Sequence, residues 1–361
     1  MRWAIIIPFV TSSGNIMQIR SLGRSDLKIP SICLGTMTFG EQTPEADAHA
    51  QLDLALERGI NFVDTAELYA VPPKAETYGR TEEIVGRWLV RQPRDRIILA
   101  SKVVGPGRQM PWIRGGSLDF SRENIRSALE NSLRRLQTDY VDLYQLHWPA
   151  RNQAMFGEWQ FDPQKERDCL PIRAQLETLA ELVQEGKIRA IGVSNEHPWG
   201  VMQFVRLAEE YSLPRIASIQ NAYHLLNRTY EVGLAEVCHR EQVGLLAYSP
   251  LAFGHLTGKY LDNPRAPGRV TNYKGFGQRY EKPGVAPALE AYIRTARAHG
   301  LTPTQLALAF VHSRWCVASV IVGASSLAQL KENLEACETT LDSEVRTEID
   351  RLYLLHGSPA P

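Results

Sequence analysis

Residues 60–69 read Ile60-Asn61-Phe62-Val63-Asp64-Thr65-Ala66-Glu67-Leu68-Tyr69. A short apolar run ends in a carboxylate, and five residues later a phenol follows on what reads as a loop. α/β enzymes keep acids and bases at such places, because the strand fixes the side chain and the loop leaves it reachable. Two later stretches repeat the pattern. Lys102 closes Ile97-Ile98-Leu99-Ala100-Ser101, and His147 closes Val141-Asp142-Leu143-Tyr144-Gln145-Leu146. Asp, Tyr, Lys and His thus all fall at strand ends or just past them.

Working outward, the spacing predicts an unbroken alternation of strand and helix. Residues 18–29 alternate around Gly23-Arg24-Ser25-Asp26 and predict a hairpin, and Ile32-Cys33-Leu34-Gly35 is the first buried strand. Thr43-Pro44-Glu45 offers an N-cap, a first-turn proline and an early acid, and the segment to Arg58 stops at Gly59. Strands follow at 61–64, 97–102, 141–147, 190–194, 216–221, 244–249 and 318–322. Between them come helices near 79–90, from Ser121, and near 173–185, 198–211 and 230–242. The tail adds helices near 287–299, 303–313 and 326–336 and one from Ser343. Eight strands, each followed by a helix, predict an α/β fold of the (β/α)8 TIM barrel type with an N-terminal hairpin. Two long connections, 148–172 and 250–286, leave its C-terminal face, where barrel enzymes place their chemistry.

The bulk numbers agree. A chain of 361 residues with 44% hydrophobic and 22% charged residues supports one large core, so residues 18–361 are read as a single barrel domain. Lys+Arg and Asp+Glu are equal at 40 each, which removes the basic footprint of a nucleic-acid or anionic-membrane binder and favours a small-molecule partner. Cys33, Cys169, Cys238, Cys316 and Cys337 form no Cys-x-x-Cys pair; a dispersed odd set fits a reducing compartment, the cytoplasm, and no metal site. The apolar stretch Ala4–Val10 is too short for a signal peptide's core, contains Pro8 and lacks a small-residue cleavage site. Residues 1–17 are read as an unstructured extension, with Met17 a second possible start. No later run reaches the roughly 20 apolar residues of a membrane span.

Alone, Asp64 caps a turn, Tyr69 packs, Lys102 reaches solvent and His147 is a bonded core histidine as readily as any of them acts. Together they suit one reaction. A carbonyl accepting hydride develops charge on oxygen and needs a proton, which a phenol with a pKa of about 10 supplies poorly unless a neighbour lowers it. An ammonium beside it favours phenolate, and a carboxylate behind holds that ammonium charged. An imidazole can then orient the substrate oxygen. A desolvated lysine also suits Schiff-base aldolase chemistry, with Lys102 as nucleophile, although Asp64 and Tyr69 beside it fit proton transfer better.

The set Asp64, Tyr69, Lys102 and His147 occurs with Gly192-Val193-Ser194-Asn195, Gln220-Asn221, Tyr248-Ser249-Pro250-Leu251 and Gly323-Ala324-Ser325…Gln329…Glu332-Asn333. In these ordered blocks, over about residues 18–353, the chain resembles the aldo-keto reductase superfamily, notably its bacterial Tas-type and potassium-channel β-subunit branches. The resemblance implies Tyr69 as general acid, Lys102 and Asp64 tuning it and His147 placing the carbonyl. It implies Ser194, Asn195 and Gln220 on the nicotinamide carboxamide, where amide and hydroxyl groups suit the ligand, with Tyr248 stacked on the ring and Thr36, Met37 and Asp64 alongside. Ser249, Pro250, Leu251, Gly254, Gly258 and Lys259 match the loop over the pyrophosphate. Gly323, Ser325, Gln329, Glu332 and Asn333 match the adenosine end, at a helix N-terminus suited to phosphate.

The implied cofactor is NADPH/NADP+ in preference to NADH. Gly323 and Gln329 stand where many members carry Lys and Arg for the 2′-phosphate, so that charge would come from Lys259, Arg265 or Arg269. A rival reading from the same resemblance is an NADPH-binding regulatory protein like the channel β-subunits, against which stands His147, an asparagine in that branch. No Gly-x-Gly-x-x-Gly fingerprint or His-Glu-x-x-His cluster is present, and His224, His239 and His255 read as surface or structural. Trp112 and Trp148, with Phe156, Trp159 and Phe161, read equally as satellites of the core or as an apolar substrate wall, and as a wall they favour hydrophobic or aromatic carbonyls over phosphorylated sugars.

Overall fold

The computed structural model describes residues 7–10 and 16–361. Strands β1 (Ile7–Val10), β2 (Ile16–Ser21) and β3 (Lys28–Pro30) form an antiparallel sheet in that order. The expected hairpin is β2–β3, closed by Leu22 N–H donating to the Leu27 carbonyl at 3.0 Å, with Gly23 at φ 57°. The reading of residues 1–17 as unstructured is corrected in part: β1 pairs with β2, Ile7 opposite Ile19 and Val10 opposite Ile16. Residues 1–6 and 11–15 of that extension lie outside the described residues.

Eight parallel strands then close a barrel: β4 (Ile32–Gly35), β5 (Phe62–Asp64), β6 (Ile98–Val103), β7 (Val141–Leu146), β8 (Ile188–Ser194), β9 (Ile216–Ala222), β10 (Gly244–Tyr248) and β11 (Val317–Val322). The connecting helices are α1 (Glu45–Glu57), α2 (Arg80–Leu89), α3 (Arg122–Leu136), α4 (Ile172–Gln184), α5 (Pro198–Glu210) and α6 (Leu234–Glu241). Between β10 and β11 run the short α7 (Lys259–Asp262) and α8 (Arg269–Asn272), then α9 (Val285–Ala298) and α10 (Pro303–His312). After β11 come α11 (Leu327–Cys337) and α12 (Ser343–His356).

Local chemistry explains where these elements start. Ser121 accepts from Asn124 N–H at the head of α3, and that helix buries Ile125, Ala128, Leu129 and Leu136 on one stripe. Thr302 and Gln305 form a reciprocal capping box ahead of Pro303 in α10. At α1 the cap differs from expectation. Pro44 occupies the N-cap position without a side-chain bond, and the buried Thr43 hydroxyl instead donates to Thr38 Oγ1 at 3.1 Å.

The period-two alternation of the strands sorts side chains between two cores. Cys33, Phe62, Ala100, Leu143, Ala190, Ala217, Leu246 and Ile321 pack inside the barrel with Leu22, Leu27 and Ile29 of the hairpin. Gly244, the first residue of β10, lies against Leu22 and Gly23, so the hairpin stops the barrel at its N-terminal end. The alternate residues, such as Val63, Leu99, Val103, Tyr144 and Leu146, face the helices. None of the five cysteines is paired, and among the described residues no helix is long and apolar enough to cross a membrane.

Candidate active site

One step above the apolar layer the same alternation turns polar side chains inward. Asp64 follows Phe62 by two residues, Lys102 follows Ala100, and Gln145 follows Leu143. Lys102 is fully buried and reaches the barrel axis, where Nζ donates to Asp64 Oδ2 at 2.6 Å, the Thr65 carbonyl at 2.8 Å and the Tyr69 hydroxyl at 3.1 Å. All three ammonium hydrogens thus have acceptors. The other Asp64 oxygen accepts from Gln220 Nε2 at 2.8 Å and Gln145 Nε2 at 3.3 Å. Gly192 makes room for this contact, since a Cβ there would meet Gln145 Cγ at 2.9 Å and Ser218 Oγ at 2.6 Å.

Tyr69 sits on the loop after β5, packed with Leu68, Val71, Val104 and Trp148. The His147 ring lies edge-on at 5.8 Å and the Trp148 ring beyond it, 5.0 Å from His147. Trp148 is held by its indole N–H donating to the Pro106 carbonyl at 2.7 Å. Burial keeps the His147 imidazole neutral, helped by the nearby Lys102 and Arg108 cations, and its Nδ1 has no partner among the described residues. Burial opposes charge on Lys102, but Asp64 and Tyr69 outweigh it and the ammonium is held. For Tyr69 the balance reverses. Burial pushes the phenol above its ordinary value, and the Lys102 ammonium pulls it down without overcoming that. The lysine acts in the expected direction, but the net shift is upward, so the phenol keeps its proton.

Above this cluster opens a cavity of about 1020 Å³. Of the residues singled out from sequence, Thr36, Met37, Asp64, Tyr69, His147, Trp148, Ser194, Asn195, Gln220, Tyr248, Ser249, Pro250, Leu251, Gly254, Lys259 and Arg269 all line it. Gly323, Ser325, Gln329, Glu332 and Asn333 line its far end. Lys102 lies beneath it, in contact with Tyr69.

Of the expected residues, Gly258, Trp112, Arg265, Trp159 and Phe161 are not brought to the cavity, and Trp159 and Phe161 stand in solvent, 76% and 52% exposed. Gly258 turns the chain behind the wall at φ 84°, ahead of α7. Trp112, expected in the substrate pocket, is 36% exposed and lines a separate surface hollow with Tyr78, Arg114 and Asn124. It is displaced because Ile113 and Met110, not Trp112, turn in against Tyr69 and Trp148. Arg265 is exposed and also outside the cavity, so of the three cations expected to meet the 2′-phosphate only Lys259 and Arg269 line it.

The groups expected to hold a cofactor differ in how free they are. Gln220 Oε1 has no donor among the described residues, and Gln220 lines the cavity. Asn195 is engaged: Nδ2 donates to the His147 carbonyl at 2.9 Å and to Ser194 Oγ, while Oδ1 accepts from the Tyr248 hydroxyl at 2.7 Å. At the head of α11, Gln329 folds back so that Oε1 accepts from the Ser325 hydroxyl at 2.9 Å. Arg269 Nε is buried with no acceptor among the described residues.

Four residues of the site are not marked by the sequence pattern used above. Gln145 was legible from the inward alternation of β7, two residues after Leu143. Glu67 is fully buried and bridges Arg114, at 2.5 Å, and the Val104 N–H, at 2.7 Å, tying the loop that carries Tyr69 to the loop after β6. Arg108 and Arg279 line the cavity from two different loops, where no periodicity marks them. Among the described residues no group of three His, Cys, Asp or Glu side chains converges as a metal site would.

Comparison with known proteins agrees with this geometry. Residues 31–354 match the aldo/keto reductase family. The chain is 48% identical to Protein tas of Escherichia coli strain K12 over 347 residues, 96% of this chain and all of that one. It is 37% identical to an aldo-keto reductase of Babesia bovis over 72% of this chain and 96% of the other. It is 31% identical to the L-glyceraldehyde 3-phosphate reductase of Escherichia coli O157:H7 over 93% and 92% of the two. With an eight-stranded parallel barrel and a matched region that spans nearly all of it, this chain is an oxidoreductase that belongs to the aldo/keto reductase family.

Proposed function

We propose that the protein reduces an aldehyde or ketone to the alcohol with NADPH in the cytoplasm, Tyr69 giving the proton. The observation that carries this reading is the Tyr69 hydroxyl 3.1 Å from a lysine itself fixed at 2.6 Å by Asp64, beneath a cavity of about 1020 Å³. When bound, NADPH supplies the hydride. The chain's own groups suit such a ligand: an open amide acceptor on Gln220, the Tyr248 ring on the wall, glycines at 254 and 323, and the cations Lys259 and Arg269 for phosphate.

Each protein group then has one task. His147, neutral and 5.8 Å from the Tyr69 ring, donates a hydrogen bond to the carbonyl oxygen and orients it. Tyr69 hands its proton to that oxygen as negative charge develops there. The phenolate left behind is stabilised by Lys102, whose charge Asp64 maintains, and Gln145 and Gln220 hold Asp64 in place. The relative named as a glyceraldehyde 3-phosphate reductase fits carbonyl chemistry of this kind.

The test is NADPH oxidation with a panel of aldehydes, comparing the wild type with Tyr69→Phe. Loss of a positioned proton donor is expected to lower kcat by about 10²-fold or more with NADPH binding retained. Equal kcat in both proteins overturns the assignment of Tyr69. Tight NADPH binding with no turnover of any carbonyl identifies a regulatory protein instead.

A further inference from the structure

Most arginines in this chain have a carboxylate or carbonyl to hold. Arg114 pairs with Glu67, Arg135 with Glu82, Arg151 with Glu196 and Arg228 with Glu231. Arg108 and Arg279 have no hydrogen-bond or ion-pair partner among the described residues, and both line the large cavity. They come from different connections, the loop after β6 and the long segment between β10 and α9, yet meet on one aromatic ring. The Arg108 guanidinium lies 4.4 Å and that of Arg279 5.8 Å from the centre of Phe156.

Two guanidiniums beside one phenyl ring repel each other, and an anion bound between them relieves that repulsion. The carboxylates of the cavity are engaged elsewhere or remote. Asp64 is held by Lys102, Glu41 by Lys74 and the Tyr273 hydroxyl, and Glu332 lies on α11 at the opposite end.

The place of this pair relative to the proposed chemistry matters. Arg108 also lies 5.1 Å from the Trp148 ring centre, and Trp148 is 5.0 Å from His147. Arg108 and the imidazole therefore lie against the same indole. Arg279 is 9% exposed, and its neighbour Lys282 donates to the Gly157 carbonyl at 2.5 Å, so the pair is anchored where the two long loops join. Arg269, given above to the cofactor's phosphates, is not part of this pair and lies over a different ring, Phe253, at 4.9 Å.

We infer that the carbonyl substrate carries an anionic group, a carboxylate or phosphate, which Arg108 and Arg279 clamp over Phe156 while its carbonyl lies at Tyr69 and His147. This rests on the reductase reading above and names its substrate class, in place of the neutral aromatic carbonyls that the tryptophans of the loops suggest. Guanidinium pairs bind carboxylate and phosphate through charge-assisted, often bidentate hydrogen bonds.

The test compares kcat/KM for matched pairs of aldehydes: 3-carboxybenzaldehyde against its methyl ester, and glycolaldehyde phosphate against glycolaldehyde. The wild type is expected to prefer at least one anionic partner by about tenfold or more, as a hydrogen bond to a charged group gives. The pair preferred tells carboxylate from phosphate. In Arg108→Gln/Arg279→Gln that preference should fall by about tenfold or more. Turnover of the neutral aldehydes with no anionic preference overturns the inference and leaves the reductase reading standing.

Calorimetric titration of the whole protein with benzoate and with inorganic phosphate reads the site without turnover. Binding that is lost in the double variant supports the anion clamp. No binding by the wild type, or equal binding by both proteins, overturns it even where the protein proves to be a reductase.

Discussion

Replacing Lys102 by Met tests the buried ion pair on which the site is built. Lys102 and Asp64 side chains are 0% and 3% exposed, at 2.6 Å, so solvent cannot take over for a lost partner. Removing one member of such a pair typically costs about 3–5 kcal/mol, because the other remains buried and charged. Here Asp64 keeps two amide donors, Gln220 at 2.8 Å and Gln145 at 3.3 Å, which places the expected loss near the lower end, about 3 kcal/mol. For a chain of this size that is a drop in Tm of roughly 4 °C. Asp64→Asn/Lys102→Met removes both charges while an amide carbonyl still accepts from the two glutamines. The double variant should therefore be more stable than Lys102→Met, with a coupling of about 1.5 kcal/mol or more between the positions. Thermal unfolding of the wild type, both single variants and the double variant measures this directly. Strict additivity of the two changes, or a Lys102→Met protein as stable as wild type, refutes the view of this pair as mutually dependent.

Three further outcomes are expected. Because burial raises the Tyr69 phenol, its protonated form persists through neutral pH, and kcat for reduction should show no fall attributable to it between about pH 6 and 9; a basic limb near pH 7 that Tyr69→Phe abolishes contradicts this. His224 is fully buried, its Nδ1 accepts from Leu226 N–H at 3.2 Å, and burial depresses its pKa to about 3. The unfolded chain takes up a proton near pH 6.5 where the folded one does not, so this stabilisation is complete above about pH 6.5 and declines as pH falls toward 3. Tm should drop between pH 7 and 5, less steeply in His224→Gln; identical slopes exclude His224 as a source. Finally, Gly192→Ala puts a methyl 2.6 Å from Ser218 Oγ and 2.9 Å from Gln145 Cγ, which should cost about 1–3 kcal/mol and lower kcat by displacing Gln145 from Asp64. Wild-type kcat in a folded Gly192→Ala protein argues that Gln145 does not position Asp64.

The barrel was legible because each strand is an apolar run long enough to bury and each helix carries its own stripe and stop, as α3 does from Ser121 to Gln137. Asp64, Lys102 and His147 were legible because strands ending in ionisable groups are conspicuous. Gln145 was overlooked although the same alternation marks it, since an amide inside a strand advertises no chemistry. Arg108 and Arg279 lie in loops, where no period fixes direction, and only folding brings them to one ring. The sign of the Tyr69 shift depends on how densely protein surrounds the hydroxyl, which residue types alone do not convey. Trp112 failed for a related reason: of three apolar side chains close together in one loop, the backbone turned Met110 and Ile113 inward.

The hairpin of β2 and β3 carries a last consequence. With Leu22, Leu27 and Ile29 closing the N-terminal end and the barrel interior packed above them, whatever reaches Tyr69 comes from the opposite side, where Lys282 ties the long segment after β10 to Gly157 in the loop after β7.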